Sequence, residues 1–251
     1  MNSAKQDFWN ARAEIAQGSG TDDFVLQQLE ERTLLEVIPE RSRILDVGCG
    51  DGGLLWLAHT ELNCSGVGVD FSAKFIERCR EKYVGLPLDF ECRSMLDIDQ
   101  LGLTGFDVLV TKRSIINLDS WEQQRATVSK LMDIVKPGGR LLLLESVVEG
   151  LERLNALRRR FDLPDMEAPW HNRFLHEDEV GEIAQRPDVV RVETVDFAST
   201  YYFLSRVIYA HVAALSGESL RYDSPINLMS LELPSIGHIG APRLHIIEKA
   251  H

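Results

Sequence analysis

The chain has 251 residues, 44% of them hydrophobic and 26% charged, with a formal net charge of −12, which describes one globular domain long enough for a full core. The acidic balance argues against a nucleic-acid surface, which needs clustered Lys and Arg, although a local arginine cluster can still serve a small anion. No run approaches the roughly 18 consecutive apolar residues of a membrane span, the amino terminus lacks an apolar signal core, and Cys49, Cys64, Cys79 and Cys92 show no Cys-x-x-Cys spacing, so reduced thiols in a cytoplasmic protein are expected.

Residues 1–20 are polar apart from the aromatic pair Phe8–Trp9, and Gly18-Ser19-Gly20 breaks the chain. A helix is expected from Thr21, capped by Thr21 or Asp22, with Phe24, Leu29, Leu34, Leu35 and Ile38 as its apolar positions and Pro39 as its end. Ile44–Val47 reads as a buried strand running into Gly48-Cys49-Gly50-Asp51-Gly52-Gly53, where glycine permits positive φ and close approach of a ligand to the backbone. The spacing then predicts a helix from Gly53 to His59, a strand from Ser65 to Val69, a Ser72-capped helix through Tyr83, and strands at Leu88–Cys92 and Phe106–Thr111. Ser120 caps a helix to Val135, and Pro137-Gly138-Gly139 turns the chain into the apolar strand Arg140–Glu145. Strands separated by helices imply a parallel sheet with helices on both faces, which binds ligands at the strands' carboxyl ends where the strand order reverses.

Beyond Ser146 the regular pattern is interrupted. Leu151, Leu154, Leu157 and Phe161 make a helical stripe, Arg158-Arg159-Arg160 is the one basic run, and residues 168–174 are turn-like. A sheet-covering helix at Glu177–Gln185, a sixth strand at Val189–Phe197, an apolar helix at Tyr201–Leu215, an irregular stretch over Ser224–Gly240 and a last strand at Arg243–Glu248 complete the reading.

Asp70 follows its strand 22 residues past Gly48, and a carboxylate there can accept both hydroxyls of a ribose. A glycine loop alone also fits a dinucleotide, and Gly53 supplies the third glycine of that fingerprint. Two details discriminate: Asp46 directly before the loop, suited to a ligand with an ammonium group, and the tighter Gly48-x-Gly50-x-Gly52 spacing. With Gly-Val-Asp-Phe-Ser at 68–72 and Lys-Pro-Gly-Gly at 136–139, the chain resembles class I S-adenosylmethionine-dependent methyltransferases, closely over about residues 41–146 and loosely elsewhere.

The resemblance implies a Rossmann-like α/β fold, a seven-stranded, mostly parallel sheet with its last strand antiparallel, in a single domain over 1–251. Within it, residues 1–40 would form an amino-terminal cap, 41–146 the cofactor-binding core, and 147–175 with 199–240 a lid built from insertions. S-adenosylmethionine is then the cofactor and S-adenosylhomocysteine the product. By resemblance Gly48, Cys49 and Gly50 lie against the methionine and ribose portions, Asp46 orients the amino group, Asp70 holds the ribose, and Phe71 and Met95 flank the adenine. The family places an acidic residue after the third strand where this chain has Ser94. The adenine amino contact is therefore open between Asp97 and Ser94 assisted by the backbone of Met95 or Leu96. Thr111, followed by Lys112-Arg113, touches the methionine side, and Asn117 is either an acceptor contact or a turn residue.

The fold does not fix the acceptor. His171 is the candidate general base, since an imidazole near its reference pKa of about 6.5 can take a hydroxyl proton at neutral pH, and Asn172 would orient it or the acceptor. Arg173, Arg206, Arg158 and Arg159 can pair with phosphate or carboxylate, or can be ordinary solvated charges. Tyr201 and Tyr202 line the chamber or pack. Residues 117–124, 169–172 and 201–206 further resemble bacterial methyltransferases of surface-polysaccharide biosynthesis, which implies a small, anionic acceptor such as a sugar, nucleotide-sugar or phosphorus-containing intermediate methylated on oxygen. Methylation of a small amine or amino sugar is the alternative within the class. A nicotinamide-dependent sugar oxidoreductase is the alternative outside it, and the Tyr-x-x-x-Lys pair it needs is missing. The scattered histidines give no metal constellation, and a monomer or homodimer acting on a small molecule is expected.

Overall fold

The computed structural model describes residues 3–14 and 21–251, so the expected break at Gly18-Ser19-Gly20 lies outside the described residues. Seven strands hydrogen-bond into one sheet: β1 (Arg43–Val47), β2 (Ser65–Asp70), β3 (Leu88–Cys92), β4 (Phe106–Lys112), β5 (Val135–Ser146), β6 (Val189–Val195) and β7 (Pro242–Lys249). Their spatial order is β3-β2-β1-β4-β5-β7-β6. The pairs from β3 to β5 are parallel, and β7 inserts antiparallel between β5 and β6.

Alternation along the strands divides the core in two. Ile44, Val108, Val110, Leu142 and Leu144 pack with α2 (Phe24–Val37), α3 (Gly53–Leu62) and α4 (Ala73–Lys82). The intervening Leu45, Val47, Leu109, Leu141 and Leu143 pack on the other face with α5 (Trp121–Ile134) and α7 (Glu177–Ala184). The Rossmann-like fold expected from the sequence is therefore the one observed, with strand bounds within a few residues. Period-two side chains and a parallel, doubly covered sheet leave the central strands little choice but a continuous apolar run.

Helix starts differ in their chemistry. Asp23, one residue past the expected caps, accepts the Leu26 amide (3.1 Å) at the start of α2. Ser120 caps α5 as expected, through the Gln123 amide (3.4 Å). Ser72 stands at the start of α4, but its hydroxyl makes no capping bond. The Pro137-Gly138-Gly139 stretch, expected as a turn, runs within β5.

Two features were not expected. Residues 3–14 form a helix, α1 (Ser3–Glu14). The apolar helix near 201–215 is one continuous rod made of α8 (Ser199–Phe203), a π-helical segment over Leu204–Tyr209, and α9 (Ala210–Ser216). The remaining elements, α6 (Val148–Arg160) and the short α10 (Pro225–Met229), lie in the stretches that interrupt the regular alternation.

α6 is fixed by a backbone contact. Gly150 accepts the Gly240 amide (3.1 Å), and a Cβ at Gly150 would stand 2.1 Å from the Gly240 carbonyl oxygen. Replacing Gly150 by alanine forces backbone apart and is expected to cost about 1–3 kcal/mol, the range for overpacking. Urea unfolding should show a lower midpoint at an unchanged slope; an unchanged midpoint would mean that this contact yields freely.

Candidate active site

The strand order reverses between β1 and β4, and the carboxyl ends of β1, β2 and β4 open there into a cavity of about 420 Å³. The glycine loop between β1 and α3 forms its floor. Gly48, Gly50 and Gly52 all have positive φ (81°, 52° and 73°). A side chain at Gly48 would run into Ser114 and one at Gly52 into Tyr83 and Phe90, so at these two positions the missing Cβ makes room for protein as well as for a ligand.

Two carboxylates stand on this floor. Asp70, at the end of β2, accepts the amides of Gly50 (3.0 Å) and Ser72 (2.9 Å), which ties the loop to the next strand. Burial pushes its pKa up while those amides pull it down. Asp46, at the end of β1, is buried, and its Oδ1 has no hydrogen-bond partner among the described residues. Burial raises its pKa to about 7, against the pull of the Lys112 ammonium. A buried acceptor left unpaired is costly. Such an acceptor can take a ligand ammonium, and with Asp70 beside the loop the residues present fit the amino-acid end and the ribose of S-adenosylmethionine.

Cys49, Phe71 and Met95 line the same cavity, whereas Ser94, Leu96 and Thr111 do not. Ser94 caps the short 3-10 helix that follows β3, accepting the Leu96 amide (3.3 Å). Asp97 accepts from Gln100 (3.1 Å) and is also off the wall. Thr111 is buried inside the sheet. Arg93, which the sequence reading passed over, is on the wall beside Met95.

The upper part of the cavity is aromatic. His171 stacks on Phe8 of α1 (ring centroids 4.4 Å apart) and meets Trp9 and Trp170 edge-on. Burial and the Lys5 charge lower its pKa below 6.5, and its Nδ1 has no partner among the described residues. The Asn172 Oδ1 is likewise buried without a partner, and both residues line the cavity. Asn117 lines it too, but its amide is engaged at both ends. It accepts from Trp9 Nε1 (3.1 Å) and donates to the carbonyls of Arg113 (2.9 Å) and Ser114 (3.3 Å), while Lys5 donates to its backbone carbonyl (2.9 Å).

The arginines depart from expectation. Arg173 is absent from the wall; it holds Glu179 with both terminal nitrogens and also donates to Gln124. Arg159 pairs with Asp165 (2.8 Å), and Arg158 donates to the carbonyls of Pro164 and Arg206. Arg206 does reach the cavity, but it is bound to Asp23, which also accepts from Tyr201 (2.6 Å). Tyr201 itself is buried behind the wall, and Tyr202 lines it. The other cations of the upper wall are paired as well: Arg12 with Asp22 (2.6 Å), Lys112 with Glu31 (3.7 Å) and Arg113 with Glu30 (3.1 Å). The sequence reading missed three residues of the wall: Asp23 and Glu31, whose cation partners Arg206 and Lys112 are remote in the chain, and Gln27, which donates to Glu31 (3.0 Å). Among the described residues no His, Cys, Asp and Glu cluster could hold a metal, and no helix is long and apolar enough to cross a membrane.

Residues 44–139 match the family of methyltransferase domains. A geranyl diphosphate 2-C-methyltransferase of Saccharopolyspora erythraea is 34% identical over 110 residues, which is 42% of this chain and 34% of that protein. An O-methyltransferase of Pyrenophora dematioidea is 28% identical over 153 residues, 57% of this chain and 52% of that one. The chain thus spans between a third and about half of the length of these relatives. Among solved structures, the N-methyltransferase NodS of Bradyrhizobium japonicum, in complex with S-adenosylhomocysteine, superimposes with a TM-score of 0.60 over 100% of both chains at 13% identity. The geranyl diphosphate C-methyltransferase of Streptomyces coelicolor does so with 0.59 over 99% of each, also at 13%. The match to the methyltransferase-domain family thus covers residues 44–139, and the fold of the chain is that of these solved methyltransferases.

The unpaired Asp46 has a thermodynamic consequence. A carboxylate whose folded pKa is about 7 against 3.8 when free keeps a proton that the unfolded chain has released. Its contribution to stability is therefore full below pH 3.8 and is lost as pH rises through about 7. Asp46→Asn should then melt higher than the parent at pH 8, by an amount worth up to a few kcal/mol, and gain less at pH 5. The same variant should bind S-adenosylhomocysteine at least tenfold more weakly in calorimetric titration. A lower melting temperature at pH 8, or unchanged affinity, would remove the assignment.

Proposed function

We propose that the chain transfers a methyl group from S-adenosylmethionine to a hydroxyl oxygen of a small acceptor, with His171 as the general base. The observation that carries this reading is one continuous cavity lined by the glycine loop, Asp46 and Asp70 at one end and by His171 and Asn172 at the other. The relatives' names span carbon, oxygen and nitrogen acceptors, so the choice of oxygen rests on His171.

S-adenosylmethionine, when bound, supplies a methyl already activated on a sulfonium. Asp70 would take the ribose hydroxyls, Asp46 and the loop backbone the amino-acid end, and Phe71 and Met95 the adenine. His171 is neutral at neutral pH because burial lowers its pKa, so it is ready to accept the acceptor's proton, with Asn172 orienting the hydroxyl. Alignment of two bound groups can itself be worth an effective molarity on the order of 10⁵ M or more.

The acceptor expected from the sequence was anionic, held by Arg173 and Arg206. The cations of the upper wall already face carboxylates, and Glu167 adds an acidic group to the same wall, so an anion gains little there. Paired charges offering donors and acceptors beside Trp9, Tyr202 and Tyr222 suit an uncharged, hydroxyl-rich ring, and we favour a neutral sugar unit over a phosphorylated one. Residues 147–175 and 199–240, with α1, would form the lid over it. Four free cysteines fit a reducing compartment.

Calorimetric titration with S-adenosylhomocysteine, with NAD as control, tests the cofactor; binding of NAD alone would overturn the class. With an acceptor found from paired panels of neutral glycosides and sugar phosphates, His171→Ala should lower turnover by about 10²–10⁴ while leaving S-adenosylhomocysteine affinity within twofold. In the parent, kcat/KM should fall as pH drops below about 6.5 and be flat above it, since only the neutral imidazole accepts a proton. Full turnover in the variant, or no acid limb, would remove the base assignment.

A further inference from the structure

Glu145 ends the central strand β5 and is fully buried, yet it does not line the cavity. Its carboxylate accepts three successive amides from the turn after β4. Oε1 takes Ser114 (3.1 Å) and Ile115 (2.9 Å), and Oε2 takes Ile116 (3.4 Å). The residue entering that turn, Arg113, has a left-handed backbone (φ 53°) and is tied by its own amide to the Leu144 carbonyl (2.8 Å). A strained residue of this kind persists only where its surroundings over-determine it.

The turn joins the two ends of the cavity. On the floor side, Ser114 donates its hydroxyl to the Val47 carbonyl (2.7 Å) and fills the space that a Cβ on Gly48 would need (2.4 Å). On the upper side, Asn117 receives Trp9 and Lys5 of α1. The Ile116 carbonyl accepts the Arg173 amide (2.7 Å), two residues past His171. The position of 114–116 therefore sets both the seat of the glycine loop and the height of the segment that carries His171.

We propose that Glu145 is a positioning residue of this site, its carboxylate holding the 114–116 turn so that the cofactor loop and the His171 segment keep their spacing. This rests on the reading that the cavity takes S-adenosylmethionine. What matters is the reach of an acceptor oxygen to the turn, because the group is off the cavity wall. Gln can keep the Oε1 bonds to Ser114 and Ile115, Asp is one methylene too short, and Leu offers no acceptor.

The experiment compares Glu145→Gln, Glu145→Asp and Glu145→Leu with the parent by S-adenosylhomocysteine titration, thermal melting and amide exchange of residues 114–116. The Gln variant should bind S-adenosylhomocysteine within threefold of the parent, and the Asp and Leu variants at least tenfold more weakly. Leu should do so even where its melting temperature equals or exceeds the parent's, because removing a buried carboxylate can stabilise. Exchange at 114–116 should quicken at least tenfold in Asp and Leu but not in Gln. Parent-like affinity in Asp or Leu overturns the proposal, as does a Gln variant as weak as Asp; should Leu fail to fold, the Asp and Gln pair decides. A parent that binds no S-adenosylhomocysteine defeats the cofactor reading instead, and the exchange pattern then judges Glu145 alone: protected amides in Asp overturn it.

Discussion

The sheet's reversal of direction between β1 and β4 governs the rest of the molecule. The helices that follow β1 and β2 pack on one face of the sheet, and the one that follows β4 packs on the other. Between their diverging starts the carboxyl ends of the strands are left uncovered, and no side chain of the strands themselves can fill the gap. Turns are driven into close contact around it, Gly48 against Ser114 and Gly52 against Tyr83 and Phe90. Of the polar groups near the strand ends, Asp46 and Asp70 are buried on its wall, and Glu145 is buried off it. Each is handled differently: Asp70 is satisfied by two amides, Glu145 by three, and one oxygen of Asp46 by none of the described residues.

That difference could not be read from the chain, although the residues could. Three acidic residues at strand ends look alike in sequence; which is saturated depends on the turns that return beside it. The strands themselves were legible because parallel strands covered on both faces carry apolar residues at successive positions. The loop was legible because few residue types besides glycine accept its dihedral angles. Ser72 and Ser120 show the limit of local rules, since both precede helices and only Ser120 makes a capping bond. α1 was invisible for another reason: it has no apolar stripe, and it is attached by polar and aromatic contacts, among them the bonds of Lys5 and Trp9 to Asn117, the ion pairs Lys5–Asp119 and Arg12–Asp22, and the stacking of Phe8 on His171.

The same argument explains the charges. Arg173, Arg206 and Arg159 read as anion ligands when their partners are unknown, but Glu179, Asp23 and Asp165 neutralise them. Asp23 and Glu30 arrive on α2 and its cap, far away in sequence from the cations they meet. A buried pair of this kind gains little net stability, because desolvation offsets attraction, yet loss of either partner leaves an uncompensated charge. Such pairs therefore act as keys of register. Asp23 in particular receives Tyr201 and Arg206 together and fixes the α8 rod and its π-helical segment against the start of α2. The net charge of −12 conveys nothing of this local balance.

The cavity is thus bounded by two structures held by different forces. Its floor belongs to the buried core of the sheet, with strand ladders, interlocked turns and apolar packing on both faces. Its roof along α1 is held by polar and aromatic contacts, with Lys5 and Ala13 as the buried positions of that helix. Polar contacts of this sort are exchangeable with water at a net cost of about 1 kcal/mol each, while opening the floor would expose core apolar surface at about 25 cal/mol per Å². Contact for contact, the attachments of α1 are thus of another kind from the apolar packing beneath the glycine loop. Asn117 is where they meet: it is anchored to the floor through Arg113 and Ser114 and to the roof through Trp9 and Lys5, and release of the roof leaves its floor-side bonds in place.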